Sequence, residues 1–118
     1  MHAASFRELR IWREGLALAV ETYAITKAFP REEMFGLTAQ VRRSANSVPA
    51  NIAEGSGRHF TKEYERFLRI AHGSLKETVS HFLLARELGY GDRIAIDRII
   101  CRYQGLDAGI NACIKSLH

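Results

Sequence analysis

Val41, Ala45, Val48 and Ile52 recur at steps of four, three and four residues, and the series runs straight across a proline at position 49. Apolar residues at that spacing share one face of an α-helix, whereas a strand would scatter them over both faces. The surrounding stretch, RRSANSVPANIAEGSGR (42–58), has the Pro, Ser, Asn and Gly content of a loop. A loop gives Val48 and Ile52 no reason to stay in phase with Val41, so the phase decides for helix. Pro49 removes one backbone hydrogen bond and crowds the carbonyl of Ala45, which costs ~3 kcal/mol in a regular helix interior. A kink near Pro49 relieves part of that cost. The small neighbours Ser44, Ala45, Ser47, Ala50 and Ala53 let another helix come close.

The same periodicity fills the rest of the chain. Phe6, Leu9, Trp12, Leu16, Val20 and Tyr23 predict the core face of a first helix. Ile11, Leu18 and Ile25 form a second line at seven-residue spacing, nearly opposite the first on a helical wheel, and are expected to form an oligomer interface. In FPREE (29–33), Pro30 stops that helix, and Glu32 and Glu33 suit the positive end of the next. The second helix extends its core face back to Met34 and Leu37 and closes at Gly55, Ser56 and Gly57. Thr61 is the expected N-cap of a third helix, whose core face is Tyr64, Phe67, Leu68, Ala71, Leu75, Val79, Phe82 and Leu83. Gly89 stops it and Asp92 caps a fourth, with Ile96, Ile99, Tyr103, Leu106, Ile110, Cys113 and Leu117 facing inward. No strand alternation competes. The expected fold is all-α: one domain over 1–118, an antiparallel up-down-up-down four-helix bundle with its second helix kinked near Pro49.

No run of ~18 apolar residues is present to span a bilayer, and MHAASFREL has no apolar signal-peptide core. A cytoplasmic location follows as the expectation. Cys101 and Cys113 fall in the fourth helix, roughly 18 Å apart along its axis. That is too far for a disulfide, so both read as small apolar side chains. The formal charge of +4 permits a polyanionic partner without requiring one.

Catalysis finds little support. Glu54 and Glu77 are available carboxylates, but neither begins a Glu-x-x-His motif of the di-iron bundles. The five histidines, His2, His59, His72, His81 and His118, offer no pair at metal-ligand spacing on one helix face. Gly55-Ser56-Gly57 precedes no Lys-Ser/Thr pair and is no phosphate-binding loop. Ser74 has no evident base. No metal and no cofactor is expected. A second in-phase series, Gln40, Arg43, Ser47, Asn51, Glu54 and Arg58, uses Ser and Asn, which are poor in helix interiors unless they have partners. It predicts a partly buried hydrogen-bond network centred on Asn51 and Glu54, with arginine as counter-charge.

QVRRSANSVPANIAEGSGR, EYERFLRIAHGSLKET, ARELGY, FPREEMFGLTAQ and the opening Phe6, Leu9 and Trp12 together resemble one family. It comprises the four-helix-bundle proteins encoded in intervening sequences of bacterial 23S ribosomal RNA genes, related to the accessory variability determinant of diversity-generating retroelements. The resemblance covers roughly residues 6–90. It implies an antiparallel four-helix bundle and, through the retroelement branch, a homopentamer with a basic surface that binds nucleic acid and associates with a reverse transcriptase. Residues 91–118 carry only a generic heptad.

For an RNA or DNA partner, phosphate contacts come from clustered Arg and Lys. The densest candidates are Arg42, Arg43 and Arg58, followed by Lys62, Arg66, Arg69 and Lys76 on the third helix; Arg7, Arg10 and Arg13 form another ridge. Glu63, Glu65 and Glu77 interleave with the third-helix set and suit ordinary surface pairs. No aromatic residue is expected among these cations as a base-stacking platform. The reading is a non-enzymatic homo-oligomer that grips structured nucleic acid by its backbone. The alternative is a protein-interaction scaffold for a polymerase-type partner, and a small-molecule-binding bundle stands behind both.

Overall fold

A computed structural model describes residues 5–118; residues 1–4, His2 among them, lie outside the described residues. Four helices account for most of the chain: α1 (Arg10–Thr26), α2 (Leu37–Ser56), α3 (Thr61–Leu88) and α4 (Arg93–Ser116). Each packs against its neighbour in sequence, and α4 returns to α1, which closes an antiparallel up-down-up-down bundle. The molecule measures 45 × 23 × 20 Å. Its long axis matches α3, whose 28 residues span roughly 42 Å.

α2 passes through Pro49 as one continuous helix. Val41, Ala45, Val48 and Ile52 are fully enclosed along its inner side. Pro49 is buried as well, and its ring faces Gly15 of α1, where an added Cβ would sit 3.5 Å from Pro49 Cβ. The proline thus forms part of the α1–α2 contact. The helix begins three residues later than the Met34 periodicity suggests. A short 3-10 turn, Arg31–Glu33, precedes it, Met34 is 51% exposed, and Glu33 Oε1 accepts the Leu37 N–H at 3.0 Å.

α1 departs from its expected faces beyond its first turn, where Leu9 and Trp12 do pack against the core. Leu18 is fully buried, and Ile11 and Ile25 pack against the core, so the line expected to form an oligomer interface is the core line. Leu16, Val20 and Tyr23 are instead exposed, at 44%, 64% and 39%. The reason lies with two buried threonines. Thr22 and Thr26 continue the Leu18 side, and each donates its hydroxyl to the carbonyl four residues earlier at 2.8 Å. Bonded in this way they enter the core at little cost, although their polarity weakens the inner stripe in the sequence.

α3 and α4 follow their expected faces, with Leu68, Ala71, Leu75, Phe82, Ile96, Ile99, Tyr103 and Ile110 enclosed. Leu83, at 38% exposure, is the departure. Gly89, at φ +76°, ends α3 in the left-handed conformation that glycine adopts without strain. Asp92 caps α4 through Ala95 N–H at 3.1 Å. Thr61 proves to be the first residue of α3; the N-cap position is Phe60, which supplies no side-chain cap.

Candidate nucleic-acid interface

Antiparallel packing gathers the end of α2, the start of α3 and the end of α4 at one pole of the bundle. Tyr64 meets Cys113 there at 3.8 Å, and Glu65 meets His118 at 2.9 Å. The N-terminal 3-10 turn, Phe6–Glu8, joins them, since Phe6 lines a hollow of about 500 Å³ with Arg58 and His59. Gly55 lets α3 approach α2 closely here: an added Cβ would lie 2.7 Å from Phe67 Cβ. Phe67 is thereby placed beneath two guanidinium groups, with Arg58 Cζ 4.8 Å and Arg66 Cζ 4.7 Å from its ring centre. Each gains a cation–π contact there. Arg58 also pairs with Glu54 at 2.7 Å, whereas Arg66 has no ion-pair partner among the described residues. Lys62 stands one turn before Arg66 and is exposed.

Arg69 belongs to the same helix face but is engaged with Glu65 at 2.8 Å. The hydrogen bond from Arg69 holds the Glu65 carboxyl below its usual range; burial opposes this, and the charges of His118 and Arg69 add to it. Lys76 lies further along α3 and faces Asp107, which also contacts His72 Nδ1 at 2.6 Å. The expectation that no aromatic residue accompanies the basic set is overturned. Phe67 lies under two of its arginines, and Phe60 is 69% exposed in the same connection. The signal was present in RHFTKEYERF, where both phenylalanines alternate with the cations.

Arg42 and Arg43 do not join this pole. Arg42 precedes Arg58 by 16 residues, roughly 24 Å of helix. Its Nε donates to Thr26 Oγ1 at 2.8 Å and its Nη2 to the Tyr23 carbonyl at 3.4 Å. With its guanidinium 4.6 Å from the Tyr23 ring centre, Arg42 secures the last turn of α1. Arg43 is exposed on the neighbouring surface of α2.

The polar series on α2 divides too. Ser47 Oγ lies 2.8 Å from Ser74 Oγ on α3, and Asn51 Nδ2 donates to the Ser47 carbonyl and hydroxyl at 2.8 and 2.9 Å. The network continues inward through Ser44 and Thr78, whose hydroxyls are 2.8 Å apart. Its centre is therefore Ser44, Ser47, Ser74 and Thr78. Glu54 and Arg58 form a separate surface pair, and Gln40 and Arg43 are exposed outside the network. Small hydroxyls are the groups that reach across a close α2–α3 approach, whereas longer side chains turn outward.

The carboxylates weighed for catalysis are apart: Glu54 faces Arg58, and Glu77 contacts His81 at 3.2 Å. Among the described residues no group of three or more His, Cys, Asp or Glu is arranged to hold a metal ion. Cys101 and Cys113 are free thiols, Cys101 exposed and Cys113 partly covered. No described helix is long and apolar enough to cross a membrane.

Residues 7–112 match the family model described as 23S rRNA-intervening sequence protein. No curated protein matches the sequence. Among solved structures, the chain is similar to a protein of unknown function from the S23 ribosomal protein family of Bacteroides thetaiotaomicron. The TM-score is 0.80 at 22% identity, covering 89% of this chain and 98% of that one. That likeness is one of fold.

Proposed function

Since the chain belongs to the 23S rRNA-intervening sequence protein family, we propose that it is a non-enzymatic, cytoplasmic homo-oligomer that holds structured RNA or DNA by its phosphate backbone. The Arg58–Phe67–Arg66 stack carries this reading. Two guanidinium carbons lie 4.8 and 4.7 Å from one ring centre, which sets the charges within about one Debye length of each other at 0.1 M salt (~10 Å). Glu54 offsets part of the Arg58 charge, and Arg66, with no ion-pair partner among the described residues, leaves a net positive site that a polyanion neutralises. Lys62 extends the patch along α3, and Arg69 extends it further where a phosphate displaces Glu65. Arg42 and Arg43 supply a second, more distant contact for a long ligand.

Self-association is supported by Leu16 and Val20, exposed apolar side chains that continue towards Tyr23, whose ring is covered on one side by Arg42. A homopentamer is the stoichiometry we propose, which gathers five copies of the basic pole. An rRNA intervening-sequence context is the setting this implies. Anisotropy of a labelled RNA hairpin at stepped salt concentrations tests the interface. Replacing Lys62 and Arg66 by alanine is expected to weaken binding and lower the log–log salt slope by about 2. Absence of wild-type binding to any RNA or DNA at low ionic strength would refute the proposal.

A second reading rests on the opposite pole, where Met34, Phe35, Leu88 and Ile94 are exposed at 51%, 92%, 51% and 68%. Such an apolar cap suits an accessory subunit docking on a polymerase-type partner, a reverse transcriptase in a retroelement setting.

A further inference from the structure

Phe60 occupies a position that folding does not explain. It is the N-cap of α3, where Ser, Thr, Asp or Asn would satisfy a free backbone N–H, and it supplies no such bond. Nor does it belong to the hydrophobic core, for the residue is 69% exposed. The bundle leaves a second connection with an exposed aromatic, Phe35, but that ring follows Glu32 and Glu33 and adjoins exposed Met34. Phe60 instead follows Arg58 and His59, precedes Lys62 by two residues, and opens the helix that carries Arg66. An exposed ring adjoining Arg58 and His59 in sequence, which line a hollow of about 500 Å³ together with Phe6, Glu54 and Glu63, is an arrangement that accepts an unpaired nucleobase.

We infer that Phe60 is a stacking platform for an unpaired nucleobase, so that the ligand is an RNA or DNA with an exposed single-stranded nucleotide and not a continuous duplex. This rests on the nucleic-acid reading above and names the kind of nucleic acid. The apolar face of a base covers the Phe60 ring, and the flanking phosphates fall to Arg58, Lys62 and Arg66. A base inside an intact duplex has its faces covered by its neighbours and has nothing to offer the ring. The platform therefore discriminates by base exposure and leaves sequence unread.

The test compares a labelled hairpin RNA bearing an unpaired loop with a fully paired duplex of equal length, by anisotropy at fixed salt. Phe60→Ala is expected to weaken hairpin binding on the order of tenfold, to leave duplex binding unchanged, and to keep the salt slope, because no charge is removed. Its thermal midpoint should match the parent, since the ring is outside the core. Phe60→Trp is expected to retain hairpin binding, and its added indole emission should be quenched by the hairpin and not by the duplex. Equal hairpin affinity in Phe60→Ala and the parent, or indole emission indifferent to the hairpin, overturns the stacking assignment while leaving backbone binding intact. A parent protein that binds neither RNA removes the underlying reading and the platform with it.

Discussion

Tyr103 shows how a single residue ties stability to solvent conditions. It is fully enclosed by the bundle, with its hydroxyl 3.2 Å from Thr22 Oγ1. Burial pushes its phenol up to about 12; the Thr22 hydrogen bond works against the rise and the Glu21 charge adds to it. Because the folded value lies above the ordinary 10.0, the unfolded chain loses its proton first. The contribution is complete below pH ~10 and is lost as pH climbs through ~12, about 2–3 kcal/mol in all. Tyr103→Phe is expected to lose about 0.5–1.5 kcal/mol at pH 7 through the missing hydrogen bond and to decline less steeply above pH 10. Urea midpoints at pH 7 and 11 measure both effects. Some alkaline decline will remain, since burial and Cys113 also raise Tyr64, and its hydrogen bond to Glu33 raises Tyr90.

Between elements, the α2–α3 seam shows what the sequence can and cannot disclose. Thr78 is fully buried, with its hydroxyl 2.8 Å from both Ser44 Oγ and the Ser74 carbonyl. Thr78→Val strands part of that network, and a loss of about 1–2 kcal/mol is expected. Ser44→Ala together with Thr78→Val should cost less than the two singles combined, because both ends of the bond are then gone. A double-mutant cycle in urea checks this, and strict additivity would show that the hydroxyls act independently. That α2 is helical through Pro49 was legible from phase alone, as was the Gly89–Asp92 junction, because both depend on local chemistry. The membership of the polar network was not. Ser47 and Asn51 share a hydrogen bond within one helix, but Ser44 and Thr78 pair across two helices, a relation that no single helix's periodicity contains. The faces of α1 were misassigned for a similar reason. Thr22 and Thr26 reach the core through carbonyls of their own helix, so their polarity misdirects a count of apolar residues. Phe60 and Phe67 were visible among their cations, but only packing at Gly55 brings Arg58 and Arg66 over one ring.

At the scale of the whole molecule, the exposed line Leu16, Val20 and Tyr23 runs along a helix already packed on two sides. Val20→Glu places a charge in its middle without touching the core. On the proposed self-association, the variant is expected to sediment closer to monomer mass than the parent while helical content stays constant; a variant that sediments like an oligomeric parent would place the self-contact elsewhere, and a monomeric parent would refute self-association. The helices also differ in how much they share. The α2–α3 interface is the most extensive and the α1–α4 interface the smallest of the four. The first joins neighbours through a short turn, and the second joins segments whose contacts, such as Arg102 with Glu14, bridge 88 positions. Closing a short loop sacrifices less chain entropy than closing a long one. The α2–α3 hairpin is therefore expected to form early and the α1–α4 seam to close late, so that amides along the α1–α4 seam should exchange with solvent faster than those of the α2–α3 seam. By the same reasoning, a chain whose synthesis has not yet reached α4 is expected to hold its α2–α3 hairpin already, with the underside of α1 waiting for its cover.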